Sequence, residues 1–137
     1  MTAPCDSALD VAAAFSAIRA YALSLPHAWE DFPWGEPVFK VGKKVFLFTG
    51  TDKAGRTGFT VKLPRSAEFA LLHPFAEKAG YGLGRSGWVT CRFAAGERVP
   101  ADMLCEWVAQ SYRTVAPKKL AAQVPDPATE EDGYNCL

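Results

Sequence analysis

The sequence predicts an α+β fold, an antiparallel β-sheet with helices packed on one face, in the order α-β-β-β-α-β-α. Three observations predict it. Two long segments, residues 7–24 and the stretch opened by Pro100, repeat apolar side chains at helical intervals. Between them lie short runs rich in aromatic and β-branched residues, which favour strands. The turns between the first runs are only a few residues long, far too short for the crossovers of a parallel sheet.

The first helix follows from Val11, Phe15, Ile18, Ala22 and Leu25, which recur every three or four residues among helix-favouring alanines. Asp6 or Ser7 is its expected cap, and Pro26 ends it because proline disfavours helical geometry in the residue before it. From Trp29 to Gly50 the chain is broken by Pro33, Gly35, Pro37 and Gly42. Val41 to Lys44 reads as a tight hairpin turn, with Phe46 to Thr49 as the return strand. A second turn at Asp52 to Gly55 leads to a strand from about Thr57 to Leu63. Pro64 opens a short helix whose apolar stripe is expected at Phe69, Leu72 and Phe75. Gly80, Gly82, Gly84 and Gly87 make a flexible connection to a strand at Trp88 to Phe93. The last helix presents Leu104, Val108, Ser111 or Tyr112, and Val115 on one face and stops or kinks at Pro117. From Pro125 onward prolines and acids replace apolar periodicity, so residues 1–124 are expected to form a single domain and 125–137 a mobile acidic tail.

A chain of 137 residues suffices for one core, burying roughly 70% of its unfolded surface. Its 15 basic and 15 acidic residues cancel, which excludes the long-range field of a strongly basic protein. The distribution is uneven. Seven cations against one anion, Asp52, lie between Lys40 and Arg65, whereas residues 1–36 carry five acids against Arg19. Cys5, Cys91, Cys105 and Cys136 have no paired spacing, and the N-terminus lacks a basic segment followed by an apolar core. Free thiols and a cytoplasmic location are expected. No apolar run approaches the roughly 20 residues that span a bilayer, so no membrane association is expected.

Sites of chemistry are harder to find. Glu30 and Asp31 are adjacent, and neighbours on a strand point to opposite faces, so they do not flank one substrate. His27 and His73 lack metal-ligand spacing, and Cys91 reads as a small buried apolar residue. The glycine-rich run from Gly80 to Gly87 precedes a strand signal instead of a helix, unlike a phosphate-binding loop. No catalytic residue, metal or cofactor is expected. Strand parity is more informative. It places Lys40, Phe46, Phe48, Thr60, Lys62, Trp88, Thr90 and Arg92 on one sheet face, and Phe59, Val61, Leu63, Val89, Cys91 and Phe93 on the other. The second set packs against helices, while rings mixed with cations suit stacked bases and phosphates, or an aromatic face covered by the tail or a partner.

The run from Trp29 to Phe48, with acids at 30 and 31, Phe32-Pro33-Trp34-Gly35 and Pro37 to Lys44, resembles the MmcQ/YjbR-like family. Gly80, Tyr81, Trp88, Val89, Pro100, Leu104, Ser111, Tyr112, Val115, Lys118, Lys119 and Leu120 are similar to its later markers. The resemblance covers about residues 7–122. It implies a frataxin/CyaY-like fold, a "double wing" mode of DNA binding and no enzyme activity. A frataxin-like iron role is disfavoured, because Asp6 and Asp10 alone do not make an acidic ridge. Three functions follow as expectations: DNA binding, a protein-interaction module using the aromatic sheet face, or a small-molecule-binding domain with an unrecognised pocket. For DNA, Lys40, Lys43, Lys44, Arg56, Lys62 and Arg92 are the expected phosphate contacts and Trp88 the stacking surface.

Overall fold

The computed structural model of the protein describes residues 8–33, 35–80 and 86–124. The expected tail at 125–137, Cys5 and Cys136, and most of the glycine-rich connection lie outside the described residues. Helix α1 spans Val11–Ser24 and is capped by Asp10, whose carboxylate accepts from the Ala13 amide at 2.8 Å. It starts at Val11, where the apolar periodicity begins, instead of at residue 7, and its cap is Asp10; the expected caps Asp6 and Ser7 lie outside the described residues. Residues Ala8–Leu9 instead form a short strand, β1, paired with β8 at Val99–Pro100.

The main sheet holds β2 (Ala28–Asp31), β3 (Val38–Val41), β4 (Lys44–Thr51), β5 (Thr57–Lys62), β6 (Ala76–Lys78) and β7 (Trp88–Phe93). Their order is β2-β3-β4-β5-β7-β6, and every neighbouring pair is antiparallel. The expected meander forms its centre. Strands β2 and β6, too short to show a periodicity of their own, add the two edges. Gly42 takes φ +62° in the β3–β4 turn, a conformation that costs glycine little.

One irregularity reverses a parity assignment. The β3–β4 register passes from Phe39 opposite Leu47 to Lys40 opposite Val45, leaving Phe46 as an extra residue in a β-bulge. Phe46 consequently faces the helices together with Leu47, and both are fully buried in the core. Phe46 therefore does not belong to the cationic face on which simple alternation puts it. The rest of that division holds: Phe59, Val61, Leu63, Val89, Cys91 and Phe93 all join the core beside α1 and α3.

Helix α3, Ala101–Val115, buries Leu104, Trp107, Val108, Ser111 and Tyr112. Ser111 is placed where the β4–β5 ladder opens. Its hydroxyl accepts from the Lys62 amide at 2.9 Å and donates to the Phe46 carbonyl at 2.6 Å, so the buried hydroxyl and the bulge are both satisfied. The chain leaves α3 at Ala116 and Pro117 and enters a single turn, α4 (Lys118–Ala121). Arg113 donates to the carbonyls of Ala121 and Val124, tying the last described turn to α3.

Helix α2, Ala67–Ala70, buries Ala70 and not the stripe expected there. Phe69 and Leu72 are 72% and 79% exposed. A helix of one turn cannot carry residues 69, 72 and 75 on a common face. Phe75 instead lies beyond it and packs on Phe93, with ring centroids 4.9 Å apart.

Candidate nucleic-acid interface

The sheet face opposite the helices presents Trp29 and Asp31 from β2, Lys40 from β3, Phe48 and Gly50 from β4, and Gly58, Thr60 and Lys62 from β5. Trp88, Thr90 and Arg92 continue it on β7, with Glu77 on β6. The expected cations do reach this face, but carboxylates meet them there. Lys40 lies 2.8 Å from Asp31 and 5.1 Å from the centroid of the Trp29 ring. Arg56 pairs with Asp52 at 2.9 Å, Arg92 approaches the same carboxylate at 3.5 Å, and Arg92 also pairs with Glu77.

The two aspartates are held ionised by these partners. The hydrogen bond from Lys40 is the main reason that Asp31 lies below the usual carboxylate range. For Asp52 the largest cause is the hydrogen bond from the Arg56 amide, which together with the Arg56 side chain and the Ala54 amide outweighs the opposing effect of burial. Asp52 thereby closes its own turn, accepting from Ala54 at 3.0 Å and from Arg56 at 2.9 Å. A phosphate approaching Lys40, Arg56 or Arg92 must compete with a carboxylate already in place.

Trp88 is only 9% exposed, and its ring meets Phe48 edge-on at 5.4 Å. Lys62 stands directly across the β5–β7 ladder from it. The structure thus brings Arg56 and Arg92 together on Asp52 and sets Lys62 beside Trp88.

Lys43 and Lys44 are elsewhere, exposed on the β3–β4 hairpin. They line a groove of about 670 Å³ with His27, Thr114, Val115, Pro117 and Leu120, at the end of α3. Exposed Lys118 and Lys119 open the turn that carries Leu120 into this groove. None of these four lysines forms an ion pair with a carboxylate among the described residues. Sequence reading singled out Lys43 and Lys44 but not Lys118 and Lys119 as their companions. Two lysines directly after a helix-ending proline were the available signal, and the return of α4 toward the hairpin was not visible.

Among the described residues no group of three or more histidine, cysteine or acidic side chains is placed to hold a metal ion. Burial pushes the Cys91 thiol up to about 12, and burial with the Asp102 and Glu106 charges pushes Cys105 up to about 11. Neither is a ready nucleophile. No described helix is long and apolar enough to cross a membrane.

These features define a small antiparallel α+β domain with a sheet face on which Lys40, Arg56 and Arg92 are ion-paired, and with a basic end. The YjbR family model matches residues 23–114, and the chain belongs to the YjbR family. Among solved structures it is similar to DR2400 of Deinococcus radiodurans, a protein with a DUF419 domain. The two are 28% identical with a TM-score of 0.59, over 80% of this chain and 87% of that one. No curated protein matches.

Proposed function

We propose that this YjbR-family protein is a non-catalytic, cytoplasmic nucleic-acid-binding module that makes its phosphate contacts at the basic end of the domain. The observation that carries the reading is the contrast between two sets of cations. Lys40, Arg56 and Arg92 are committed to carboxylates, whereas Lys43 and Lys44 line the groove, Lys118 and Lys119 open the turn that adjoins it, and none of the four has such a partner among the described residues. Cations already paired within the protein contribute little to the release of counterions from DNA, and unpaired ones contribute fully.

The test is fluorescence anisotropy with single- and double-stranded DNA over a range of salt concentrations. Replacing Lys43 and Lys44 by alanine should weaken binding to every sequence alike and flatten the duplex salt slope by about two logarithmic units per decade. Lys118→Ala with Lys119→Ala should do the same, while Arg56→Ala should change the slope little. Absence of binding by the wild-type protein at low salt overturns the proposal.

A protein partner is the second reading, favoured by the exposure of Phe69 in α2 and Leu72 just after it. It places the contact on α2 instead of on the aromatic sheet face, where Trp88 is buried. Under this reading Leu72→Lys abolishes capture of the partner and leaves DNA affinity unchanged.

A further inference from the structure

We propose that the sheet face opposite the helices contains a binding site for a planar nitrogen heterocycle of the guanine type, seated on the backbone of Gly50 and Gly58. These two glycines are direct cross-strand partners on β4 and β5, the central strands of the sheet. They form the floor of a cavity of about 730 Å³, with Glu36 at one side, Arg92 at the other, and Phe48, Thr60 and Thr90 along the next row.

Glycine is a poor choice for a half-buried strand position, and a strand glycine marks a bulge, a bend or a close approach by a ligand or another backbone. The β4–β5 register is continuous through both residues, and neither has a positive φ. A Cβ at Gly50 would find its nearest neighbour, the Glu36 side chain, at 3.7 Å; one at Gly58 would find the Gly50 carbonyl oxygen at 3.7 Å. Both are ordinary contact distances. Among the described residues neither backbone conformation nor packing therefore requires glycine, while a side chain at either position would project into the cavity. The two missing side chains leave a flat peptide surface matched to a ring.

The polar groups around this floor specify its occupant. The hydroxyls of Thr60 and Thr90 lie 2.8 Å apart, and one donates to the other. The second hydroxyl hydrogen has no acceptor among the described residues, although Thr90 is only 7% exposed. It is available to a ring nitrogen or carbonyl. Glu36 accepts the Thr51 amide on one oxygen at 3.1 Å and has no cationic partner among the described residues, so its other oxygen is available to N–H donors. Because Arg56 and Arg92 are already paired with Asp52 and Glu77, the site does not select an anion. The matching ligand is flat and uncharged, with an acceptor and adjacent N–H donors, as in guanine.

Guanosine is the probe, because without a phosphate its binding does not depend on the basic end of the domain. Titration followed by amide chemical shifts should move Gly50, Gly58, Thr60 and Thr90. Adenosine, which lacks the paired donors, should bind at least about fivefold more weakly, as should guanosine to Glu36→Gln. Gly58→Val should abolish binding while melting no lower than the wild type, and Gly50→Ala provides a milder filling of the same floor. An oligothymidylate with one guanine separates the two sources of such a ring: tighter binding than free guanosine assigns the site to an unpaired base in a strand, and equal binding assigns it to a free nucleoside. No shift at Gly50 and Gly58 with millimolar guanosine, or unchanged affinity in both Gly58→Val and Glu36→Gln, overturns the proposal.

Discussion

The ring of Phe46 meets the ring of Tyr112 edge-on, with centroids 5.3 Å apart and planes at 83°. The contact exists because the bulge in β4 turns Phe46 toward α3, where Ser111 then takes up its carbonyl. Tyr112 also donates its hydroxyl to the Pro26 carbonyl at 2.6 Å, binding α3 to the turn that follows α1. These residues join both long helices to the middle of the sheet.

Removal of this junction should therefore be costly. Phe46→Ala is expected to lose about 3–5 kcal/mol as a core truncation. Ser111→Ala should lose about 2 kcal/mol or more, because it leaves both the Lys62 amide and the Phe46 carbonyl without their buried partner. Tyr112→Phe, which removes one hydrogen bond and keeps the ring contact, should cost about 1 kcal/mol. Urea unfolding checks the order of the three, with the denaturant slope unchanged in each.

Asp52 masks Arg56 and shares Arg92 with Glu77, so neutralising it should expose Arg56. Asp52→Asn retains an oxygen for the turn amides and removes the charge that holds Arg56, while Arg92 keeps Glu77. DNA affinity at low salt should rise, and the salt slope should steepen by up to about one unit. An unchanged slope in a variant that melts like the wild type would show that Arg56 does not reach phosphate even when released.

The lowered values of Asp31 and Asp52 also fix the sign of an acid response. A carboxylate whose folded pKa lies below its unfolded value, near 3.9, stabilises the fold above that value and loses its contribution as pH falls through the folded pKa. Stability should accordingly decline below about pH 4. In Asp31→Asn and Asp52→Asn that decline should be shallower, most clearly at low salt because both ion pairs are open to solvent. Urea midpoints measured between neutral pH and pH 2 provide the check.

Cys91 and Cys105 titrate in the opposite sense. Their thiols are raised to about 12 and about 11, mainly by burial, so their contribution is fully present below the unfolded value near 8.5 and is lost as pH climbs through the folded values. In a Cys5→Ser, Cys136→Ser background, a disulfide reagent at pH 7.5 should label neither thiol quickly in the folded protein and both in urea. Rapid labelling of Cys91 without denaturant would contradict its burial.

The fold class, the two long helices, the central meander and the family resemblance carried by Trp29 to Lys44, which the family match bears out, were all legible in the residues themselves. These features depend on local periodicity and turn chemistry, which are written in neighbouring residues. Two edge strands escaped because four and three residues are too few to show a period. Phe46 was assigned to the wrong face because a bulge shifts parity without a local signature, and its partner Ser111 is 65 residues away. The cations were visible from composition, but their carboxylates were not: Lys40 meets Asp31 through β2–β3 pairing, and Arg92 meets Glu77 and Asp52 through the β6–β7 edge and a distant turn. The glycine floor likewise arises only when β4 and β5 align Gly50 with Gly58. Tertiary structure alone decided which charges remain open and where the sheet is bare, because both depend on strand register, which pairs residues far apart along the chain.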